Sequence, residues 1–282
     1  MKTTFKWMFA AILLCGLTVS SCKKDPQPTP TPDPEPEPTT QTVLASMVGT
    51  GVSFYDSVTY NYEYDDEYRI VSYESHVTNQ DYIIQDLQFT YSDGHISVTG
   101  IENESPVTIE CTLDSEGRIT HFERTSILND TLTSIKNVDY TYDAEGHLTS
   151  EYILSNASSD GQGITNVFVW EGDELKAYNI EGNSITIDYV PSDAPAQALF
   201  QDMSYEGDLS VLCAQGCFGK LPAHMPAQKT MTTSLAIPGV PPIIKTSNYT
   251  YTVDAEGRLA TSVETDGTTG NTTHYTFYWE ER

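Results

Sequence analysis

The chain has 282 residues, with 40 acidic against 14 basic side chains, a net charge of −26 and a mean hydropathy of −0.35. So acidic a surface argues against nucleic acid, whose phosphates require a basic footprint. It suits a soluble face in an extracytoplasmic space, with cation binding as the other reading.

The first 22 residues read as a processing segment. Lys2 and Lys6 make a short basic start, and Phe9 to Val19 is an apolar run too short to span a bilayer as a permanent helix. Val19-Ser20-Ser21-Cys22 follows. Small residues just before a cysteine resemble the lipobox of bacterial lipoproteins, which implies cleavage and lipidation at Cys22; Cys15, preceded by Leu14, fits less well. Ordinary secretion, with Cys22 a bystander, is the alternative. Several acyl chains on one residue anchor firmly, because each buried methylene contributes about 0.8 kcal/mol. The expected place is the outer membrane, on its periplasmic face or at the cell surface. Losing Lys2 and Lys6 leaves 12 of the 14 basic residues against 40 acids, a net of −28.

Residues 23–42 read as a tether. In "DPQPTPTPDPEPEPTT" (25–40) alternating proline removes donors and fixes φ, so the stretch stays extended.

Residues 43–282 read as a single β domain. Six runs share a plan: "YEYDDEYRIVSY" (62–73), "FTYSDGHISV" (89–98), "CTLDSEGRITHF" (111–122), "YTYDAEGHLTSEY" (140–152), "FVWEGDELKAY" (168–178) and "YTVDAEGRLATSV" (251–263). Each has an aromatic or apolar pair, an acidic turn usually holding glycine, a charged or polar residue, and then Ile or Leu. In the first five, Ile70, Ile96, Ile119, Leu148 and Leu175 are 23 to 29 residues apart, the period of a repeated supersecondary unit. In Val138-Asp139-Tyr140-Thr141-Tyr142 apolar and polar residues alternate as in a half-buried strand. Asp143 can bond the backbone beyond it, and Gly146 supplies the positive φ that ends a type I turn with a bulge. Each unit is therefore a β-hairpin. Looser turns such as "TNQD", "ENES" and "LNDT" join the units, and "EGNS" (181–184) adds another hairpin.

The pattern predicts an all-β fold, an antiparallel meander of about 14 strands forming a curled sheet or open barrel. One face carries Tyr60, Tyr62, Tyr64, Phe89, Tyr91, Ile109, Cys111, Tyr140, Tyr142, Ile185, Ile187, Tyr249 and Tyr251; the other carries Thr, Glu, Asn, Gln and Asp. The pattern breaks at Pro191. Residues 191–242 form a mostly irregular, partly helical insert in which "DAPAQALFQDM" starts a helix capped by Asp193. About eight strands close a barrel that side chains fill, and more strands leave a hollow. The insert is therefore expected to pack on the tyrosine-rich face as plug or lid.

The segments Tyr142-Asp143-x-x-Gly146-His147-Leu148 and Asp254-x-x-Gly257-Arg258-Leu259 resemble the tyrosine–aspartate repeats of bacterial cell-surface shell proteins, which build β-rich walls. The larger arrangement resembles a family of Gram-negative lipoproteins of unknown function with a porin-like β fold. The matching features are the lipidated start, the Pro-rich tether, "ITIDY" followed by an insert containing "CFGKLP", and a last hairpin ending in "YTFYWEE". The resemblance covers about residues 40–282 and implies architecture but no catalytic residues. Tyr68 stands where the first turn would have glycine, and "EGDE" shifts the glycine of the fifth.

Few residues invite chemistry. His95 and His147 follow turn glycines, where Arg118 and Arg258 sit in other units, and are expected to be exposed; His76 is expected in an outer loop, and His121 and His274 in strands. No HExxH, GxSxG, P-loop or dinucleotide fingerprint occurs, and the chain is expected to be neither an enzyme nor a metal or cofactor protein. Cys213 and Cys217 bracket "AQG" and form a candidate disulfide; with His224 they offer three zinc ligands without a fourth; free thiols are the third reading. Cys111, in a strand pattern, reads as a small buried hydrophobe. The EF-hand-like run from Asn156 has Val167 where a bidentate Glu is needed, so it reads as a flexible loop. With 40 acids, the sequence selects no carboxylate pair for glycoside hydrolysis. Trp170, Tyr278 and Trp279 are the candidates for an exposed ligand platform. A transmembrane barrel requires an uninterrupted apolar belt. Strands of about seven residues with Ser and His in the apolar face argue instead for a soluble sheet held at the membrane. The expected role is binding or scaffolding in the envelope, toward another envelope protein or a glycan, with carbohydrate capture or processing as the alternative.

Overall fold

The computed structural model describes residues 40–282, apart from 53–54, 79, 81, 129–131, 157–161, 181–184, 196–206, 235–236 and 238. Thr40–Arg282 forms one compact unit. The expected signal peptide, Cys22, nearly all of the tether, the "EGNS" turn and most of the EF-hand-like run lie outside the described residues.

Sixteen strands follow one another: β1 (Thr42–Val52), β2 (Tyr55–Tyr64), β3 (Ile70–Val77), β4 (Ile83–Ser92), β5 (His95–Glu102), β6 (Ser105–Leu113), β7 (Ile119–Leu128), β8 (Leu132–Tyr142), β9 (Leu148–Ser155), β10 (Ile164–Glu171), β11 (Glu174–Ile180), β12 (Ile185–Pro195), β13 (His224–Thr233), β14 (Ile243–Val253), β15 (Leu259–Asp266) and β16 (Thr272–Glu281). Each pairs antiparallel with its neighbours in sequence, and β1 pairs with β16, closing the meander into a barrel. The sheet is therefore closed and has two more strands than the fourteen expected. β13 lies inside the stretch assigned to the insert. Asp193 lies in β12 and caps no helix. Strands run from 7 to 11 residues, longer than the repeat suggested.

Alternation sets the two faces. Leu87, Phe89, Ile96, Val98, Ile109, Cys111, Phe122, Val138 and Tyr140 are buried, while Thr99, Thr108, Glu110, Glu123 and Asp139 between them are exposed. The apolar face is the barrel interior; the outer wall is polar over β5–β8, whereas on β9 and β10 Tyr152, Leu154, Val167 and Val169 are exposed on it.

The repeat turns all fall at one end of the barrel, here the repeat end. At β6–β7, Asp114 Oδ1 accepts the backbone N–H of Glu116 (3.0 Å) and Arg118 (2.9 Å), and Oδ2 accepts Arg118 Nε (2.7 Å). Gly117, at φ 80°, completes the turn, where a Cβ would be strained. The pattern returns at Asp254 with Arg258 and at Asp65 with Arg69, where Tyr68 itself adopts φ 61°.

The β12–β13 connection also leaves the repeat end. Its described part is a 3-10 helix, Gly207–Gln215, followed by a turn. Leu209, Leu212 and Phe218 are fully buried in the barrel core. Three backbone bonds fasten this plug to the rim: Ile119 N to Cys217 O (2.7 Å), Lys220 N to Gly146 O (2.9 Å) and Ala223 N to Asp173 O (2.8 Å). The expected plug is thus present, and it is shorter than 191–242 because 191–195 belong to β12 and 224–233 to β13.

Candidate functional site

Rings at the ends of even-numbered strands lock the repeat end. Tyr64 OH donates to Leu44 O (2.9 Å), Tyr91 OH to Ile70 O (2.8 Å), Tyr142 OH to Ile119 O (2.7 Å) and Tyr251 OH to Pro226 O (2.8 Å). Trp170 Nε1 donates to Leu148 O and Trp279 Nε1 to Leu259 O, both at 2.8 Å. Each bond runs to the preceding strand. The arginine or histidine of one turn then covers the ring of the next hairpin. Arg69 lies 4.6 Å over Tyr91, Arg118 lies 4.6 Å over Tyr142, and the His147 ring stacks on Trp170 at 4.5 Å. This interlock gives the Tyr-Asp-x-x-Gly-[Arg/His] phrase its physical meaning.

The structure does not bring the proposed ligand platform together. Trp170 and Trp279 are staples on strands with β11–β15 between them on one side, and Tyr278 is on the outer wall, 50% exposed. His147 is buried, contrary to expectation. Its Nδ1 lies 2.9 Å from Asp143 Oδ2 and its Nε2 3.1 Å from Asp173 Oδ1, so it takes the place of the turn arginine. His95 is exposed, and His76 is in β3 beside Glu74 rather than in a loop. Cys213 and Cys217 are buried free thiols, as is Cys111; burial pushes Cys111 and Cys217 up to about 12. His224 sits by Glu174. Among the described residues no group of three or more His, Cys, Asp or Glu is placed to hold a metal.

Sequence reasoning missed a polar cluster inside the barrel. Glu151 on β9 and Asn166 on β10 are both 0% exposed. Glu151 Oε1 accepts from Asn166 Nδ2 (2.7 Å) and from the Tyr178 hydroxyl, and Asn166 Nδ2 also lies 2.7 Å from that hydroxyl. Asn166 Oδ1 is buried and meets no hydrogen-bond donor among the described residues. The available signal was phase: Glu151 stands directly opposite inward-facing Tyr140. Beyond this cluster, toward the end opposite the plug, the inward positions turn polar. Val52, Glu264, Asp266, Asn271, Thr273 and Tyr275 line a cavity of about 320 Å³ there.

A family described as a domain of unknown function (DUF4595) with porin-like fold matches residues 61–262. The chain belongs to that family. Two solved structures share the architecture of this DUF4595 barrel, each described as a porin-like protein. The one from Bacteroides uniformis ATCC 8492 is 15% identical with a TM-score of 0.59, and the match covers 84% of this chain and 98% of that one. The one from Bacteroides vulgatus ATCC 8482 is 14% identical with a TM-score of 0.59, covering 85% and 99%. At such identity the likeness is one of fold. No curated protein matches the chain. The DUF4595 barrel is compatible with an envelope location.

Proposed function

We propose that this porin-like barrel is a lipid-anchored envelope protein that binds or scaffolds, and neither catalyses nor conducts. The polar outer wall of β5–β8 carries the reading. Thr99, Thr108, Glu110, Glu123 and Asp139 point outward at mid-barrel, where a lipid-facing wall requires an apolar belt. The plug supports it, because Leu209, Leu212 and Phe218 occupy the core at the repeat end. The lipobox-like Val19-Ser20-Ser21-Cys22 and the proline tether supply the attachment. The chain enters the barrel at the repeat end, where Gln41 and Arg282 exchange backbone bonds. The polar cavities therefore lie at the end away from the attachment. The partner on this reading is a glycan or another envelope protein.

The test is fractionation of the full-length chain. Wild type is expected in the outer membrane, and Cys22→Ala in the aqueous fraction without detergent. A Cys22→Ala protein that needs detergent, or that conducts ions in planar bilayers, overturns the proposal. A carbohydrate-binding or carbohydrate-processing role is the second reading. It is favoured by the cavity of carboxylates, amide and tyrosine around Glu264, Asp266, Asn271 and Tyr275, groups suited to hydroxyl-rich ligands. A glycan array together with a hydrolysis assay separates it from protein scaffolding.

A further inference from the structure

The β13–β14 connection and the start of β14 carry the most exposed apolar run of the barrel's rim. Ile237, Val240, Ile243 and Ile244 are 58%, 41%, 50% and 59% exposed, and Pro241 and Pro242 are exposed as well. From Val240 to Ile244 every residue is apolar and faces solvent, a run that a wall does not need and that water disfavours. The run lies at the end opposite the plug, because β12–β13 leaves the repeat end and β13–β14 the other. It also stands proud of its neighbour. Ser247 pairs with Asp266, the last residue of β15, and Gly267 N donates to Thr246 O (2.6 Å), so Ile243, Ile244 and Lys245 pair only with β13. Their projection beyond the end of β15 is roughly 10 Å. Val240 N closes a turn on Ile237 O (3.2 Å) with Gly239 at φ 82°, and Pro241 and Pro242 carry no N–H, so the ridge presents few backbone donors.

Charge singles out the same ridge. No aspartate or glutamate occurs between Asp208 and Asp254, a stretch that holds Lys220, Lys229 and Lys245. Other connections at this end carry acids: Asp81, Glu104, Asp130, Asp160 and Glu181. We propose that the Val240–Ile244 ridge docks on a lipid surface, its side chains dipping into the interfacial region of the membrane. A convex apolar ridge enters a fluid interface without a matching groove, and its lack of acids spares it the repulsion that anionic headgroups exert on the rest of the rim. The chain outside the barrel permits the contact. Residues 23–39, extended at about 3.1 Å each, span on the order of 50 Å. The 11 residues of β14 rise only roughly 36 Å. An anchor at Cys22 therefore leaves slack for the far rim to fold back onto the same bilayer. That geometry rests on the lipid-anchored reading, whereas the ridge's own affinity for lipid does not.

Vesicle sedimentation tests it on residues 23–282, which lack the leader and any acyl chain and keep the compact unit Thr40–Arg282 whole. The probe is vesicles of phosphatidylethanolamine and phosphatidylglycerol. Reversible binding of about 10³ M⁻¹ is expected, below the roughly 10⁴ M⁻¹ of a single myristoyl chain and so lost on dilution during fractionation. Ile243→Ser combined with Ile244→Ser is expected to weaken it about tenfold or more. Val167→Ser combined with Val169→Ser, on the exposed wall of β10, leaves it unchanged. Hydrogen exchange with vesicles present should protect amides within 239–245 and leave those of β9 and β10 as they are. If the double isoleucine variant does not fold, Ile237→Ser combined with Val240→Ser takes its place. Absence of vesicle binding, the outcome for a ridge that serves a protein groove instead, overturns the proposal. Equal binding by a folded ridge variant also overturns it, as does protection confined to β9 and β10. Fractionation of the full-length chain reads the acyl anchor and not the ridge, so either reading can fail alone.

Discussion

Phe218 is where the seal of the barrel is most exposed to test. The side chain is 1% accessible, and its ring packs edge-on against Tyr140 with centroids 5.3 Å apart. Truncation to alanine removes that contact and leaves a ring-sized void, a change that typically costs about 3–5 kcal/mol. The aromatic pair accounts for about 0.5–1.5 kcal/mol of it. The plug is also held by the buried Leu209 and Leu212, by three backbone bonds from Cys217 O, Lys220 N and Ala223 N, and by Gln215, which accepts from Tyr91 OH (3.0 Å) and donates to Tyr68 O (3.3 Å). Phe218→Ala should therefore loosen the plug before it unfolds the wall. A urea melt of the full-length protein is expected to lose about 3–4 kcal/mol. Hydrogen exchange should show amides of 207–223 losing protection while β5–β8 keep theirs. Phe218→Leu, nearer in volume, should cost less than about 1.5 kcal/mol. A loss below about 1 kcal/mol in the alanine variant, or wild-type plug amides that exchange freely, would refute the reasoning.

Three further outcomes follow from the rim and the core. Tyr142→Phe removes the donor to Ile119 O and should cost about 1–2 kcal/mol, read as a shifted urea midpoint at unchanged slope; no shift would demote the ring staples to packing alone. Burial pushes the Asp114 carboxyl upward, but backbone and side-chain hydrogen bonds from Arg118 outweigh it and hold it below the usual range; Asp65, Asp143 and Asp254 follow suit with Arg69, His147 and Arg258. A carboxyl lowered by folding stabilises above its unfolded pKa, about 3.9 for Asp, and that contribution is lost as pH falls through the folded value. Tm should therefore fall as pH drops below about 4, less so in Asp114→Asn, and equal slopes would contradict the turn assignment. Burial raises the Cys111 and Cys217 thiols to about 12, so iodoacetamide at pH 8 should leave native Cys111, Cys213 and Cys217 unlabelled and modify all three in urea; mass spectrometry that finds rapid native labelling of Cys217 would mean an open plug.

What could be read from the chain was local. The Asp143–Gly146 turn and the alternation of Tyr140 and Tyr142 are written within a dozen residues, so hairpins, faces and repeat emerged together. Closure did not, because β1 meets β16 across nearly the whole chain and no neighbouring residue records that pairing. β13 was hidden by composition: "HMPAQKTMTT" carries proline and methionine, and its inward Met231 and Lys229 break the aromatic rhythm of the other strands. The indoles were misjudged through phase. Trp170 shares the inward face of Phe168, and Trp279 that of Phe277, so both rings turn toward the interior and their N–H groups find carbonyls. Glu151 escaped because a bulge between the Tyr142–Leu148 and Thr141–Ser150 pairs shifts the alternation of β9, placing an acid where simple counting from Leu148 puts it outside.

The same geometry explains why the interior is apolar at one end and charged at the other. A wall of sixteen strands is too wide for its own side chains to fill. Leu209, Leu212 and Phe218 fill the repeat end, and the wall residues that meet them, Phe122, Val138 and Tyr140, are accordingly apolar or aromatic. The plug turns back at Gly216–Gly219 and returns to the rim through Lys220 and Ala223. Past its reach, an apolar lining would have faced either vacuum or water, both costly. The inward positions there are Glu102, Arg124, Lys136, Ser155, Glu264 and Asp266, which tolerate water and can recognise a polar guest. Where Leu209, Leu212 and Phe218 meet the wall its lining is apolar, and one inward position further, at Arg124 and Lys136, it is polar.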